Sequence, residues 1–169
     1  ILKEIHFPHS IGMLYSAFTY FLGFKVNSGE YKLMGLSPYG NKNSIEVQKL
    51  KQLIYQYLII SKGNNGFQLN LEYFTFQYQL KMIQDAQWEK LFGIKRRNDD
   101  EPITQIHCNL ALAIQEVTEE LLIELVQIAK DLTGSDNICL SGGVALNCVA
   151  NGKILHHQLF KNIYVPSSP

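Results

Sequence analysis

Between Pro102 and Thr133-Gly134, the residues Ile106, Leu110, Ala113, Val117, Leu121, Leu125, Ile128 and Leu132 recur at three- and four-residue steps. Only one face of a long helix satisfies that spacing, and Gly134 supplies its stop. Asn137-Ile138-Cys139-Leu140 is then a short apolar run closed by Ser141-Gly142-Gly143. VALNCVANGKIL returns to helical character, and Asn162-Ile163-Tyr164-Val165 forms a second short apolar run. Helix, strand, glycine turn, helix, strand is the order of an α/β unit with parallel strands, because parallel neighbours need a crossover between them. The fold class is therefore α/β and helix-rich.

Upstream, Ser10 is a helix N-cap and Gly23 a stop, and IGMLYSAFTYFL between them is apolar on nearly every side, which predicts a helix buried all round. In GFKVNSGEYKLMGLSPYGNKN the glycines and Pro38 recur too often for a regular helix or strand. Ser44 caps a further helix whose apolar face carries Val47, Leu50, Leu53, Ile54, Tyr57 and Leu58. Gly63-Asn64-Asn65-Gly66 reads as a turn. Phe67, Leu69 and Leu71 alternate with Gln68 and Asn70 as in a half-buried strand, and QDAQWEKLFGI reads as a short helix.

Of the 169 residues, 46% are apolar and 18% charged, enough for a sizeable core and against disorder. Fifteen basic residues balance fifteen acidic ones. That balance, with no basic run, removes the electrostatic footprint of a nucleic-acid binder. Lys95-Arg96-Arg97, followed by Asp99-Asp100-Glu101, reads as a solvated loop. With no apolar run of about 18–20 residues and no cleavable leader, the setting expected is soluble and cytoplasmic, away from membranes. Cys108, Cys139 and Cys148 lie in apolar segments without CxxC spacing and read as buried free thiols. The chain begins Ile1-Leu2-Lys3 and stops just after the second short apolar run, so residues 1–169 read as part of a domain truncated at both ends.

Two segments carry chemical signals. A strand entering Ser141-Gly142-Gly143 and then a helix start lets backbone approach a ligand and aims N–H groups at an anion such as phosphate. Asn147 would lie in the first helical turn, its amide within reach of a ribose or phosphate oxygen. The alternative is a double glycine that only makes a tight turn. The second segment is Ser28-Gly29-Glu30-Tyr31-Lys32-Leu33-Met34-Gly35-Leu36, where Lys32 either offers its ammonium to an oxygen or snorkels at the surface. His6-Phe7-Pro8-His9 has HxxH spacing, but Pro8 and the lack of a nearby carboxylate set argue against a metal. His107 reads as structural, and His156-His157 as favouring a helix C-terminus. No catalytic triad can be argued.

FPHSIGMLYSAFTYFLGFKVNSGEYKLMGLSPYG (Phe7 to Gly40) and NICLSGGVALNCVANGKIL (Asn137 to Leu155) together resemble the carbamoyltransferase family that includes nodulation-factor and antibiotic O-carbamoyltransferases. The similarity continues through Phe160-Lys161-Asn162-Ile163-Tyr164-Val165. It implies a fragment of an actin-like ATPase domain of the ribonuclease-H-like type, related to the proteins that make threonylcarbamoyl-adenosine in tRNA. It also implies an enzyme in which carbamoyl-adenylate, made from carbamoyl phosphate and ATP in a separate domain, gives its carbamoyl group to a hydroxyl of a small-molecule or glycan acceptor.

By the same resemblance, Gly142, Gly143 and Asn147 contact the nucleotide, with Gly29, Glu30 and Lys32 in a second nucleotide-proximal segment. The resemblance implies a divalent metal, iron, in the full-length enzyme, with ligands outside this chain; the fragment alone is expected to be inactive. Catalytic residues are unassigned, and a homodimer is open. A sugar- or acetate-type kinase of the same fold and a non-catalytic helical interaction domain are the alternatives.

Overall fold

A computed structural model describes residues 1–61 and 67–167. Its axis is helix α5, Gln105–Thr133. At the start of α5 the His107 imidazole accepts a hydrogen bond from Thr104 N at 3.0 Å, the role Glu or Gln plays in a capping box. Burial, then the positive charge of Arg97, hold His107 below its usual pKa, which favours the neutral ring that can accept this bond. At the other end Gly134 takes φ 61°, the left-handed stop.

Helix α1, Ile11–Phe21, is capped by Ser10 Oγ accepting from Met13 N, and none of its residues is fully exposed. It buries Leu14, Ala17, Phe18 and Phe21 in a core shared with Leu110, Ala113, Ile114 and Val117 of α5. Helix α2 spans Glu30–Leu36, and a single 3-10 turn, Ser37–Tyr39, follows it. Glycine density had argued against regular structure here. Gly35 instead faces open space inside the helix, a cost of about 1 kcal/mol, while Leu33 is fully buried in the core.

Helix α3, Ile45–Leu53, is capped by Ser44 as expected and runs on into a π-helical turn, Ile54–Leu58. Strands β1 (Ile59–Ser61) and β2 (Gln68–Leu69) pair antiparallel. The expected turn at Gly63 to Gly66 lies outside the described residues. The expected strand ends early. The Asn70 side chain accepts from Glu72 N, a local bond that competes with the ladder and turns Leu71–Tyr73 into a 3-10 turn. Helix α4, Asp85–Phe92, carries Trp88, whose ring meets Phe18 (centroids 4.8 Å), Phe21 (5.3 Å), Phe92 (5.5 Å) and Phe74 (5.8 Å). Its indole N–H donates to Tyr73 O at 2.8 Å, so the core's largest side chain leaves no polar atom unpaired.

The carboxy-terminal unit is the expected one. Strands β3 (Asn137–Cys139) and β4 (Asn162–Tyr164) pair parallel with Ile138 opposite Ile163. The crossover is a 3-10 turn, Gly143–Leu146, and helix α6, Cys148–His156. Val126 of α5, Ile154 of α6 and Phe160 form a second, smaller apolar cluster beneath it. Among the described residues no helix is long and apolar enough to cross a membrane.

Two expectations are corrected. Cys108 is buried, but Cys139, in a two-stranded sheet, and Cys148, in the first turn of α6 with its Sγ 4.0 Å from Met34 Sδ, are exposed. Arg97 is not solvated with its basic neighbours but 5% exposed. Its guanidinium donates to the carbonyls of Leu22 (2.7 Å), Glu101 (2.5 Å) and Asp99 (3.3 Å). A helix leaves its last carbonyls without internal donors, and Arg97 serves the end of α1. Lysine cannot reproduce that planar fork. Arg97→Lys is therefore expected to lower stability by about 2 kcal/mol, measured by urea unfolding, while a surface Lys95→Arg control leaves it unchanged.

Candidate functional site

Where the first turn of α1, the start of α2, the middle of α5 and the turn after β3 meet, they enclose a cavity of about 500 Å³. It falls within the roughly 300–1,000 Å³ usual for small-ligand pockets. Of the six expected site residues, Glu30, Gly143 and Asn147 line it; Gly142, Gly29 and Lys32 do not.

Gly142 shapes the turn from behind, with a φ of 90° that L side chains rarely adopt. Gly29 permits close packing, since a Cβ there would come 2.6 Å from Lys25 O. Lys32 is exposed on the outer side of α2 and holds to the surface reading. Gly143 has no atom within 4 Å of the position a Cβ would take, so its backbone is open on that side.

Asn147 differs from the expectation in place and in partners. It is the N-cap of α6, one residue before the helix, because the 3-10 turn ends there and a new helix must start. Its Oδ1 accepts from Ala150 N at 3.0 Å and from Gln115 Nε2 at 3.1 Å, and its Nδ2 donates to Gln115 Oε1 at 3.1 Å. At 9% exposure most of its hydrogen-bonding capacity is committed to the fold.

Gln115 in turn accepts from the Tyr15 hydroxyl at 2.9 Å and donates to Glu119 Oε1 at 2.9 Å. A buried polar chain thus ties α1, α5 and the glycine turn beneath the cavity. Burial first, then the charges of Glu119 and Glu30, raise the Tyr15 phenol, so it remains a proton donor. Thr118, 1% exposed, lines the cavity, and its hydroxyl has no hydrogen-bond partner among the described residues.

The Glu30 carboxylate accepts from Ser16 Oγ (2.8 Å), Asn27 N (3.0 Å) and Gly29 N (3.2 Å). Burial would raise its pKa, but these bonds outweigh it and the net shift is downward. No Lys, Arg or His lines the cavity among the described residues. Sequence reasoning missed Tyr15, Gln115, Thr118 and Glu119. The signal was available, because Gln115, Thr118 and Glu119 fall at i, i+3 and i+4, one polar stripe in an otherwise apolar helix face.

Residues 1–169 match the family described as Carbamoyltransferase N-terminus. The chain belongs to the carbamoyltransferase family. This carbamoyltransferase-family chain is 48% identical over 162 residues to protein sll1178 of Synechocystis sp., covering 96% of the chain and 25% of that protein. It is 32% identical over 168 residues to nodulation protein NolO of Bradyrhizobium diazoefficiens (98% of the chain, 27% of that protein). Nodulation protein NolNO of Sinorhizobium fredii is 31% identical over 161 residues, 94% of the chain and 21% of that protein. The chain thus spans about a quarter of the length of these curated relatives.

Two outcomes follow from the geometry. Asn147→Ala removes an N-cap and leaves the Gln115 amide short of partners, so it is expected to cost about 2 kcal/mol in urea unfolding. Glu30 binds its proton less tightly folded than unfolded. Its contribution to stability is complete above the usual carboxylate value of 4.5 and is lost as pH falls through the lower folded value. A stability–pH profile of Glu30→Gln should be flatter than wild type on the acid side.

Proposed function

We propose that the protein carrying this chain is an O-carbamoyltransferase that moves a carbamoyl group from carbamoyl-adenylate, made from carbamoyl phosphate and ATP, to a hydroxyl of a small-molecule or glycan acceptor. The family assignment supports carbamoyl transfer in general. One observation carries the finer reading: the SGGVALN turn and the GEYKLMGL helix, far apart in sequence, close on one cavity through Gly143, Asn147 and Glu30. The chain would then be part of an actin-like ATPase domain in a cytoplasmic enzyme.

In the reaction the acceptor oxygen attacks the carbamoyl carbon. A new C–O bond forms, the bond from carbamoyl carbon to the adenylate phosphate oxygen breaks, and AMP leaves as the hydroxyl loses its proton. Gly143 gives backbone access beside the cavity. The carbonyl-polarising role of a preorganised donor set is general to such transfers.

The resemblance implies a divalent metal whose ligands would lie outside this chain. Among the described residues no three His, Cys, Asp or Glu groups gather to hold an ion. His9 Nδ1 accepts from Leu69 N, and His107 Nδ1 from Thr104 N.

The test is an assay of the protein at the relatives' full length with isotopically labelled carbamoyl phosphate, ATP and a panel of hydroxylated acceptors. Label in the acceptor together with AMP is expected. A phosphorylated acceptor, with no transfer of label, would overturn the reading in favour of a kinase.

A further inference from the structure

We propose that the start of α5 is an acid-released clasp: protonation of His107 opens the first turn of the helix and frees the segment from Tyr39 to Asn41 that this turn holds. The inference concerns the scaffold and stands apart from the transferase reading.

The latch is one hydrogen bond whose acceptor can be lost. Thr104 N donates to His107 Nδ1 at 3.0 Å. A Glu or Gln in this place of a capping box accepts such a bond at neutral pH and in mild acid alike. An imidazole accepts it only while Nδ1 carries no proton. Protonation sets two N–H donors face to face. The Thr104 hydroxyl, 3.1 Å from the same nitrogen, can turn to accept from the protonated ring, but the backbone N–H cannot.

The new charge is also unfavourably placed. His107 lies in the first turn of a 29-residue helix, where aligned peptide dipoles leave positive charge, and that turn contains no Asp or Glu. Of the charged groups around the ring, Arg97 of the preceding loop opposes an imidazolium and Glu101 favours it. The 3-10 turn packed against α5 brings Tyr39 as its one titratable residue, and α3 brings Glu46, which is bonded to Asn109. Burial and Arg97 prevail over Glu101.

The turn that His107 caps is a junction. Gln105 Nε2 donates to Tyr39 O at 3.0 Å, and Asn109 Oδ1 accepts from Asn41 N at 2.8 Å and from Gln105 Nε2 at 3.0 Å. Gly40 sits so close to α5 that a Cβ there would fall 2.5 Å from Leu112 Cβ and 2.8 Å from Cys108 O. Residues 39–41 lie on the link from α2 to α3, and α2 carries Glu30 and Met34 to the cavity wall. Opening the first turn of α5 therefore loosens the link behind that wall.

His107 binds its proton less tightly folded than unfolded. The clasp is closed above the usual histidine value of 6.5 and opens as pH falls through the lower folded value. Glu30 acts in a different window, since its contribution is complete above 4.5.

The test is hydrogen–deuterium exchange read by mass spectrometry on the protein at the relatives' full length, from about pH 5 to 8, with intrinsic exchange rates divided out. Exchange at the imidazole C2 position follows the titration of His107 in the same digest. As His107 takes up its proton, peptides covering residues 38–46 and 101–109 are expected to lose about tenfold in protection. Peptides covering residues 120–130 should keep theirs. His107→Gln, which accepts throughout this range, should hold its neutral-pH protection, and His107→Ala, which has no acceptor, should show the acid level at every pH.

The same pH step in wild type and His107→Gln would overturn the inference. So would unchanged protection as His107 titrates, or an equal loss over residues 120–130, which would mean global unfolding. The wild-type comparison of ring titration with amide protection decides the matter even where a variant folds poorly.

Discussion

The Gln115 amide is the joint on which the geometry of the cavity depends. Its oxygen accepts from Tyr15 of α1 and from Asn147 at the start of α6, while its nitrogen donates to Asn147 and to Glu119 one turn along α5. Each bond alone has a modest net value, about 1 kcal/mol. The geometry matters more, because a buried amide left half-paired is costly, so the three elements must keep one mutual arrangement. That arrangement fixes the first turn of α1 against the glycine turn and leaves the cavity between them.

The same polar stripe marks the level of α5 at which this cavity lies. On the amino-terminal side, α5 packs into the large core through Leu110, Ile114 and Val117. On the carboxy-terminal side, Val126 belongs to the small cluster with Ile154 and Phe160. The large core itself continues to Leu121, and within its reach Gln115, Thr118 and Glu119 are buried polar residues. Polar groups cannot be covered by plain apolar packing without loss, so the stripe needs polar partners, which Tyr15 and Asn147 supply for Gln115.

Much of this was legible in the sequence where one local signal acted alone. The apolar repeat of α5 and its Gly134 stop, the serine caps of α1 and α3, and the strand, glycine turn, helix, strand order all correspond to single short-range causes. Errors arose where a distant group decided the outcome. α2 forms despite its glycine because Leu33 has a core to enter. Arg97 is buried because the carbonyls at the end of α1, seventy-five residues away from Arg97 at Leu22, need donors. The site divided in the same way: the glycine turn was visible as a motif, but Asn147 needed knowledge of its partner Gln115, 32 residues earlier.

That division also changes what the glycine turn means. Read alone, Ser141-Gly142-Gly143 pointed to phosphate through backbone donors. In place, one glycine serves the conformation of the turn, the other faces the cavity, and the asparagine that follows is held mostly by protein. The turn is therefore only one of the cavity's walls. Elsewhere around it Glu30 is fixed by its own loop, and the Thr118 hydroxyl has no partner among the described residues. The polar stripe of α5 at this level is one that no motif search would single out, because its residues are ordinary and only their burial is not.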